Sequence, residues 1–266
     1  MNFSGKVVFL TGGASGIGLE MAKRFLARGA HLAAFDLRPT DEAARKLLAA
    51  RQGAHQKAPL YALDVTDAAA VRAAFAKAAA EVGPPVLLFN SAGIVSARVF
   101  SELPQEEFER VVRVNLFGSR NAASAALEHL APGGRLVFMA SLAGLIGSYG
   151  YTAYASSKFA VVGLAESLRA ELKPRGIAVQ VVCPPEVETP MVEYERTVRP
   201  KATEELKAFA GALSVEEACR GILSGIESGK FLVIPGLRAK LTWLLAKMLP
   251  RRLGHLVADY LVARAG

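Results

Sequence analysis

Val7-Val8-Phe9-Leu10-Thr11-Gly12-Gly13-Ala14-Ser15-Gly16-Ile17-Gly18-Leu19 decides how this chain is read. Four apolar residues suited to a buried strand enter a glycine-rich turn, and the turn enters a helical pattern over 17–28. Glycines let such a turn close tightly and let backbone N–H groups approach a pyrophosphate at the helix N-terminus. The spacing Gly12, Gly16, Gly18 departs from the usual G-x-G-x-x-G, and alone it fits a bare strand-to-helix turn as well. Gly12, Ala14, Ser15, Gly16, Ile17 and Gly18 are therefore candidate phosphate contacts.

Outward from this turn, short β-rich runs alternate with helical patterns. The runs are Val7–Leu10, His31–Phe35, Leu60–Leu63, Val86–Phe89, Arg135–Ala140, Ile177–Cys183 and Phe231–Ile234. Each is apolar on both faces, as a strand covered by helices on both sides must be. Helices are expected near 17–28, 41–51, 67–82, 105–130, 152–173 and 214–228, with Gly29, Gly83-Pro84-Pro85, Pro132-Gly133-Gly134 and Pro174-Arg175-Gly176 at their ends. Repeated strand–helix–strand units predict an α/β fold, a doubly wound parallel sheet of about seven strands in one domain over 1–236. The segment 184–213 breaks the alternation, with a short helix expected near 201–209. A long excursion at the carboxyl end of a strand is where such sheets put substrate loops.

Composition narrows the function classes. The chain has 266 residues, 52% hydrophobic and 21% charged, which excludes a disordered or fibrous protein. The net charge is +8, but residues 237–266 carry +5 of it through Arg238, Lys240, Lys247, Arg251, Arg252 and Arg264 against Asp259. The main body has no basic-aromatic surface of the kind that binds nucleic acid. Cys183 and Cys219 are too few for a disulfide framework, lack metal-ligand spacing, and are expected to be buried thiols in a reducing cytoplasm. A strand starting at Lys6 leaves no room for a signal peptide, and no apolar run suits a membrane span.

Several polar residues sit at expected strand ends or on a helix. Asp36 ends the second strand, 18 residues after Gly18. A carboxylate there can accept from ribose hydroxyls and repel a 2′-phosphate, which favours NAD over NADP, although Arg38 offsets part of that charge. A turn or cap role for Asp36 stays open. Asp64 and Val65 end the third strand beside the expected adenine position, whereas Asp67 reads as a helix cap. Asn90, Ala92 and Gly93 lie after the fourth strand, and Ser141 after the fifth. Tyr154 and Lys158 are four apart, on one face of a helix, where an ammonium can favour phenolate. Taken alone that pair also fits a solvated helix face. Asn115 is a polar residue among apolar neighbours inside a helix.

Together, Thr11-Gly12…Gly16-Ile17-Gly18, Asp64, Asn90-Ser91-Ala92-Gly93, Asn115, Ser141 and Tyr154…Lys158 resemble the short-chain dehydrogenase/reductase family over about residues 4–235. Ser91 departs mildly from the usual N-N-A-G. The resemblance implies a Rossmann-type fold, a nicotinamide cofactor, and hydride transfer to or from a secondary alcohol or ketone. It implies that Tyr154 is the general acid/base, that Ser141 orients the carbonyl, that Lys158 lowers the Tyr154 pKa and binds ribose, and that Asn115 holds a relay water. It also implies a homodimer or homotetramer built on 105–130 and 152–173. A cofactor-sensing binding protein without catalysis is the alternative from another class, and the complete Asn-Ser-Tyr-Lys set argues against it.

After the sixth strand, Pro184-Pro185 replaces the family's usual Pro-Gly, while Val187 and Thr189 can still reach the nicotinamide carboxamide. The stretch Pro184-Pro185…Thr189-Pro190, with Glu193, Glu195, Arg196 and Pro200, locally resembles 3-ketodihydrosphingosine reductases. That points to an apolar, lipid-like substrate; an NADPH-dependent 3-ketosphinganine or 3-oxoacyl reductase is the alternative to the NAD(H) reading. The tail 237–266 reads as a basic amphipathic helical extension. Leu241, Leu245, Met248 and Leu249 share one face, and Leu253, Leu256, Val257, Tyr260 and Leu261 follow Pro250. It suits either peripheral membrane contact or a cap over the substrate pocket or a subunit contact.

Overall fold

The second, first and fourth strands lie side by side, so the strand order reverses next to the glycine turn. A computed structural model describes residues 2–250 and, beyond them, 252, 256, 259, 260 and 262–264, apart from the side chain of Phe209. Of the tail residues named above, Arg251, Leu253, Val257 and Leu261 lie outside the described residues. The strands are β1 (Val7–Thr11), β2 (His31–Asp36), β3 (Leu60–Ala62), β4 (Pro85–Asn90), β5 (Arg135–Met139), β6 (Ala178–Val182), β7 (Glu186–Val187), β8 (Ala212–Leu213) and β9 (Leu232–Val233). The helices are α1 (Gly16–Leu26), α2 (Asp41–Ala49), α3 (Ala68–Glu81), α4 (Gln105–Val112), α5 (Gly118–Leu127), α6 (Thr152–Leu172), α7 (Pro190–Arg196), α8 (Lys201–Ala210), α9 (Val215–Ser228) and α10 (Leu237–Met248).

The main sheet has seven parallel strands in the order β3-β2-β1-β4-β5-β6-β9. Side chains alternate along β1: Phe9 packs with Phe35, Phe75 and Phe138 under the layer of α3, α5 and α6, while Val8 and Leu10 pack with Phe25, Leu32 and Ile222 under α1, α2 and α9. Both faces are dry, which is why each strand reads as continuously apolar. The Phe9, Phe35 and Phe75 rings meet pairwise at centroid distances of 4.6 to 5.7 Å, and truncating any one of them to Ala should cost about 3–5 kcal/mol.

Three local features differ from the sequence expectation. The helix expected over 105–130 is interrupted by a π-helical turn over Arg113–Phe117, in which the Gly118 N–H reaches Arg113 O. The turn puts Asn115 in the protein interior, where its polar groups find partners. Second, 184–213 holds two helices. α8 matches the expected one, and α7 begins at Pro190 behind the cap Thr189, whose Oγ1 accepts from the Val192 N–H. Third, β7 and β8 pair to close this excursion as a small separate ribbon. As expected, Asp67 caps α3, accepting from the Ala69 and Ala70 N–H groups. Cys183 and Cys219 are free and buried, and burial pushes both thiols up to about 12.

Candidate active site

The reversal of strand order between β1 and β4 opens a crevice at the carboxyl ends of the strands. There β1 turns over Gly12 and Gly16, both with positive φ (+73° and +50°), which non-glycine residues avoid. A Cβ at Gly12 would stand 2.9 Å from the Ala92 nitrogen, and one at Gly18 would stand 1.8 Å from Gly12 O. The missing side chains therefore let the turn fold onto α1 and onto the β4 loop. Ser15, the first residue before α1, makes no side-chain cap, and the first turn of α1 holds no acidic residue. The α1 N-terminus thus keeps uncapped N–H groups and a positive dipole end facing the crevice, as a dinucleotide's phosphates require.

Thr11 joins the two loops. Its Oγ1 donates to Asn90 Oδ1 at 2.9 Å and accepts from the Ser91 and Ala92 N–H groups. Asn90 Nδ2 in turn donates to Ser119 O. Asp36 accepts from the Ala14 N–H at 2.9 Å and from the Arg38 N–H at 3.0 Å, so the carboxylate fastens the end of β2 to the glycine turn. Asp64 accepts from the Thr66 N–H in a tight turn.

Beyond the glycine turn stand Ser141, Tyr154 and Lys158. The Ser141 hydroxyl hydrogen-bonds the Tyr154 phenol and also accepts from the Ala143 N–H. Lys158 is buried, donates from Nζ to Met139 O at 2.9 Å, and lies 5.6 Å from the Tyr154 ring centre. Burial pushes Tyr154 up to about 12, against the Ser141 hydrogen bond, and pushes Lys158 down to about 8. In the protein without cofactor, then, burial dominates, and the phenol keeps its proton at neutral pH. Asn115 Oδ1 accepts from the Ile94 N–H, and its Nδ2 donates to Ile94 O and Ser157 Oγ, one residue before Lys158.

One cavity of about 1120 Å³ spans these groups. Gly12, Ala14, Ser15, Gly16, Ile17, Gly18, Asp36, Asp64, Val65, Ala92, Gly93, Ser141, Tyr154, Lys158, Val187 and Thr189 all line it. Asn90 and Asn115 do not: their amides turn inward to hold neighbouring loops and helices. A Cβ at Gly93 would stand 3.0 Å from Asn115 Oδ1 and 3.4 Å from Lys158 Nζ, so both groups crowd this glycine.

The family model described as short chain dehydrogenase matches residues 6–199. The chain belongs to the short-chain dehydrogenase/reductase family. This dehydrogenase/reductase is 32% identical over 255 residues to a 3-ketodihydrosphingosine reductase of Dictyostelium discoideum, covering 89% of this chain and 76% of that one. It is 36% identical over 231 residues to a 3-dehydrosphinganine reductase of Arabidopsis thaliana, covering 85% and 68%. Its fold matches a short chain dehydrogenase/reductase from Burkholderia phymatum in complex with NAD, with a TM-score of 0.79, 26% identity, and 93% and 94% of the two chains covered. It is an oxidoreductase with a nicotinamide cofactor, and the uncapped α1 N-terminus above the glycine turn fits that group.

The far wall of the short-chain dehydrogenase comes from the 184–213 excursion and the tail. Pro190, Met191, Val192, Leu206 and Ala210 line it from α7 and α8, and Thr242, Leu245, Ala246 and Leu249 line it from α10 and the residue after it. Leu245 and Leu249, half of the tail's expected apolar face, thus border the pocket, and both are exposed, as are Leu237, Leu241 and Met248. Within this wall lies a polar cluster that the sequence did not reveal: Tyr151, Glu186, Glu195 and Lys207, with Arg199 behind them. Its members are up to 56 residues apart, and no local spacing couples them.

Proposed function

We propose that this enzyme reduces the keto group of a long-chain 3-keto lipid of the 3-ketosphinganine class, with NADH preferred. The observation carrying this reading is that one cavity runs from the α1 N-terminus, past the Tyr154 hydroxyl, to a wall that includes apolar residues of α7, α8 and α10. The likeness to relatives named for 3-ketosphinganine reduction supports the same class.

When bound, the nicotinamide supplies or takes a hydride. The protein's own residues do the rest. Gly12, Ala14, Ser15, Gly16, Ile17 and Gly18 hold phosphates through backbone N–H groups. Asp36 keeps acceptor capacity for ribose hydroxyls while its charge disfavours a 2′-phosphate. Asp64 and Val65 would hold the adenine end, Ala92 and Gly93 the middle of the cofactor, and Val187 and Thr189 its carboxamide. Asn90 acts one step back, through Thr11. Ser141 donates to the substrate carbonyl. Tyr154, protonated at neutral pH, gives its proton to the oxygen as hydride arrives at carbon. Lys158 holds the ribose and, as an ammonium, favours the phenolate left behind. Asn115, which holds the Ile94 backbone and Ser157 behind Lys158, would act from behind the wall in the relay that returns a proton toward Lys158.

The chain works as a homo-oligomer through α4, α5 and α6, with Phe117 exposed in the π-helical turn between α4 and α5, and α10 serves as the pocket's lid. The test is steady-state oxidation of NADH and NADPH by the purified protein with 3-ketosphinganine. Turnover with NADH at the higher kcat/KM supports the reading; no turnover of any long-chain ketone contradicts it.

A further inference from the structure

Lys207, Glu186 and Glu195, with Arg199 behind them, meet the Tyr151 phenol at the end of the pocket walled by α7, α8 and α10, where Met191, Leu206 and Leu245 are the apolar lining. Lys207 Nζ donates to Tyr151 Oη at 2.7 Å, to Glu195 Oε1 at 2.8 Å, and pairs with Glu186 Oε2 at 2.6 Å. Tyr151 Oη donates to Glu195 Oε1. Arg199 pairs with Glu186 at 2.8 Å and approaches Glu195. The charges leave their mark on Glu186: burial would raise its carboxyl, but Lys207, with Arg196 and Arg199, holds it down at about 2.

Fastening α7 and α8 to the site needs no charges. A buried ion pair loses much of its attraction to desolvation, and an apolar contact of similar volume commonly holds as well. The cluster's position suggests a second use. Tyr151, Glu186, Glu195 and Lys207 line the cavity, and the Tyr151 ring lies 5.5 Å from the Tyr154 ring. The polar patch is therefore one ring away from the proton donor, and Met191, Leu206 and Leu245 face the rest of that space. Its hydrogen-bonding capacity is uneven. The three Lys207 protons are taken up by Tyr151, Glu195 and Glu186. Glu195 Oε1 serves both Tyr151 and Lys207, whereas among the described residues Oε2 is met only by Lys207, at 3.1 Å. A carboxylate oxygen accepts two hydrogen bonds, so Oε2 can take one more.

We propose that Glu195, braced by Lys207 and Tyr151, is a specificity subsite that accepts a hydrogen bond from an N–H or O–H group of the substrate beside its ketone. The proposal rests on the reductase reading above and adds an orientation to it. The hydrogen-bonding head lies at Glu195, the carbonyl at Tyr154 and Ser141, and the apolar chain runs toward α10.

The test compares matched ketones. 3-Ketosphinganine is set against octadecan-3-one, which has the same chain without the amine and hydroxyl, and 3-hydroxybutan-2-one against butan-2-one. The wild-type protein is expected to favour the headed ketone by about tenfold or more in kcat/KM, since a site built to hydrogen-bond a group rejects the analogue lacking it. In Glu195→Gln and in Tyr151→Phe, which keeps the ring, that ratio should fall toward one, the loss appearing as a raised KM for the headed ketone. A wild-type ratio near one overturns the proposal. So does a parallel loss for both members of a pair, because the cluster would then serve only as a clamp on α7 and α8. If the short pair turns over and the long pair does not, the lipid reading fails while the ratio within the short pair still decides the subsite. Turnover of neither pair overturns both.

Discussion

Lys158 Nζ stands 5.6 Å from the centre of the Tyr154 ring and is anchored to the carbonyl of Met139, at the end of β5. The anchor joins the helix carrying the pair to the strand edge carrying Ser141. Burial disfavours the ionised form of each: the phenol is pushed up to about 12 and the ammonium down to about 8. The free protein thus stores a neutral acid beside a cation that loses its proton near the upper end of neutrality.

This has a consequence for stability. The Lys158 pKa is lower folded than in the ordinary unfolded chain, so between about pH 8 and about pH 10 this group by itself contributes stability that rises with pH, whereas Cys183 and Cys219, raised to about 12 in the fold, contribute stability that falls from about pH 9. Below it the full desolvation cost of the buried ammonium remains. The difference in unfolding free energy between the cofactor-free wild type and Lys158→Met, both of which keep the two cysteines, should therefore move in favour of the wild type from pH 8 to 10. A difference that stays constant or moves the other way across that window contradicts the assignment.

Asp36 is expected to serve two purposes, because its carboxylate also holds the Ala14 and Arg38 N–H groups. Asp36→Ala should therefore lower the NADH-over-NADPH preference by about tenfold and raise KM for NADH as well, since the glycine turn loses a fastening. Titration of both cofactors against wild type and variant checks this. An unchanged preference would mean that the carboxylate does not face the ribose.

The parts of the site legible in the sequence are those whose geometry is local. A strand, a glycine turn and a helix put Gly12 to Gly18 in place by chain continuity, and one helical turn puts Tyr154 over Lys158. The seven-stranded sheet was legible because strands covered on both faces leave no polar alternation. What stayed hidden depends on distant partners. The π-helical turn at Asn115 leaves no mark in the apolar periodicity, since its cause is the Ile94 backbone and Ser157 on another helix. The pairing of Glu195 with Lys207 and Tyr151 across α7, α8 and α6 is likewise a product of tertiary closure. α7 had a local signal, Thr189 followed by Pro190, in the cap and first helical positions.

If α10 is the lid, removing 237–266 should harm long substrates most. Leu245, Ala246 and Leu249 would no longer bury the apolar chain, and KM for a long-chain ketone should rise by about tenfold or more, each lost methylene contact counting. A short ketone should be affected far less. Equal effects on both, or release from anionic vesicles as the sole change, would assign the tail to a membrane surface instead.

The most direct measurement is turnover of a long-chain 3-keto substrate by the wild-type protein and by Tyr154→Phe, with cofactor binding followed separately. The substitution keeps the ring against Tyr151 and removes the proton that must reach the carbonyl oxygen. The account predicts a loss of about 10²-fold or more in kcat with NADH binding nearly unchanged. A variant that turns over within about threefold of wild type would contradict the assignment of Tyr154 as the acid, and with it the reading of this cavity as a carbonyl-reducing site.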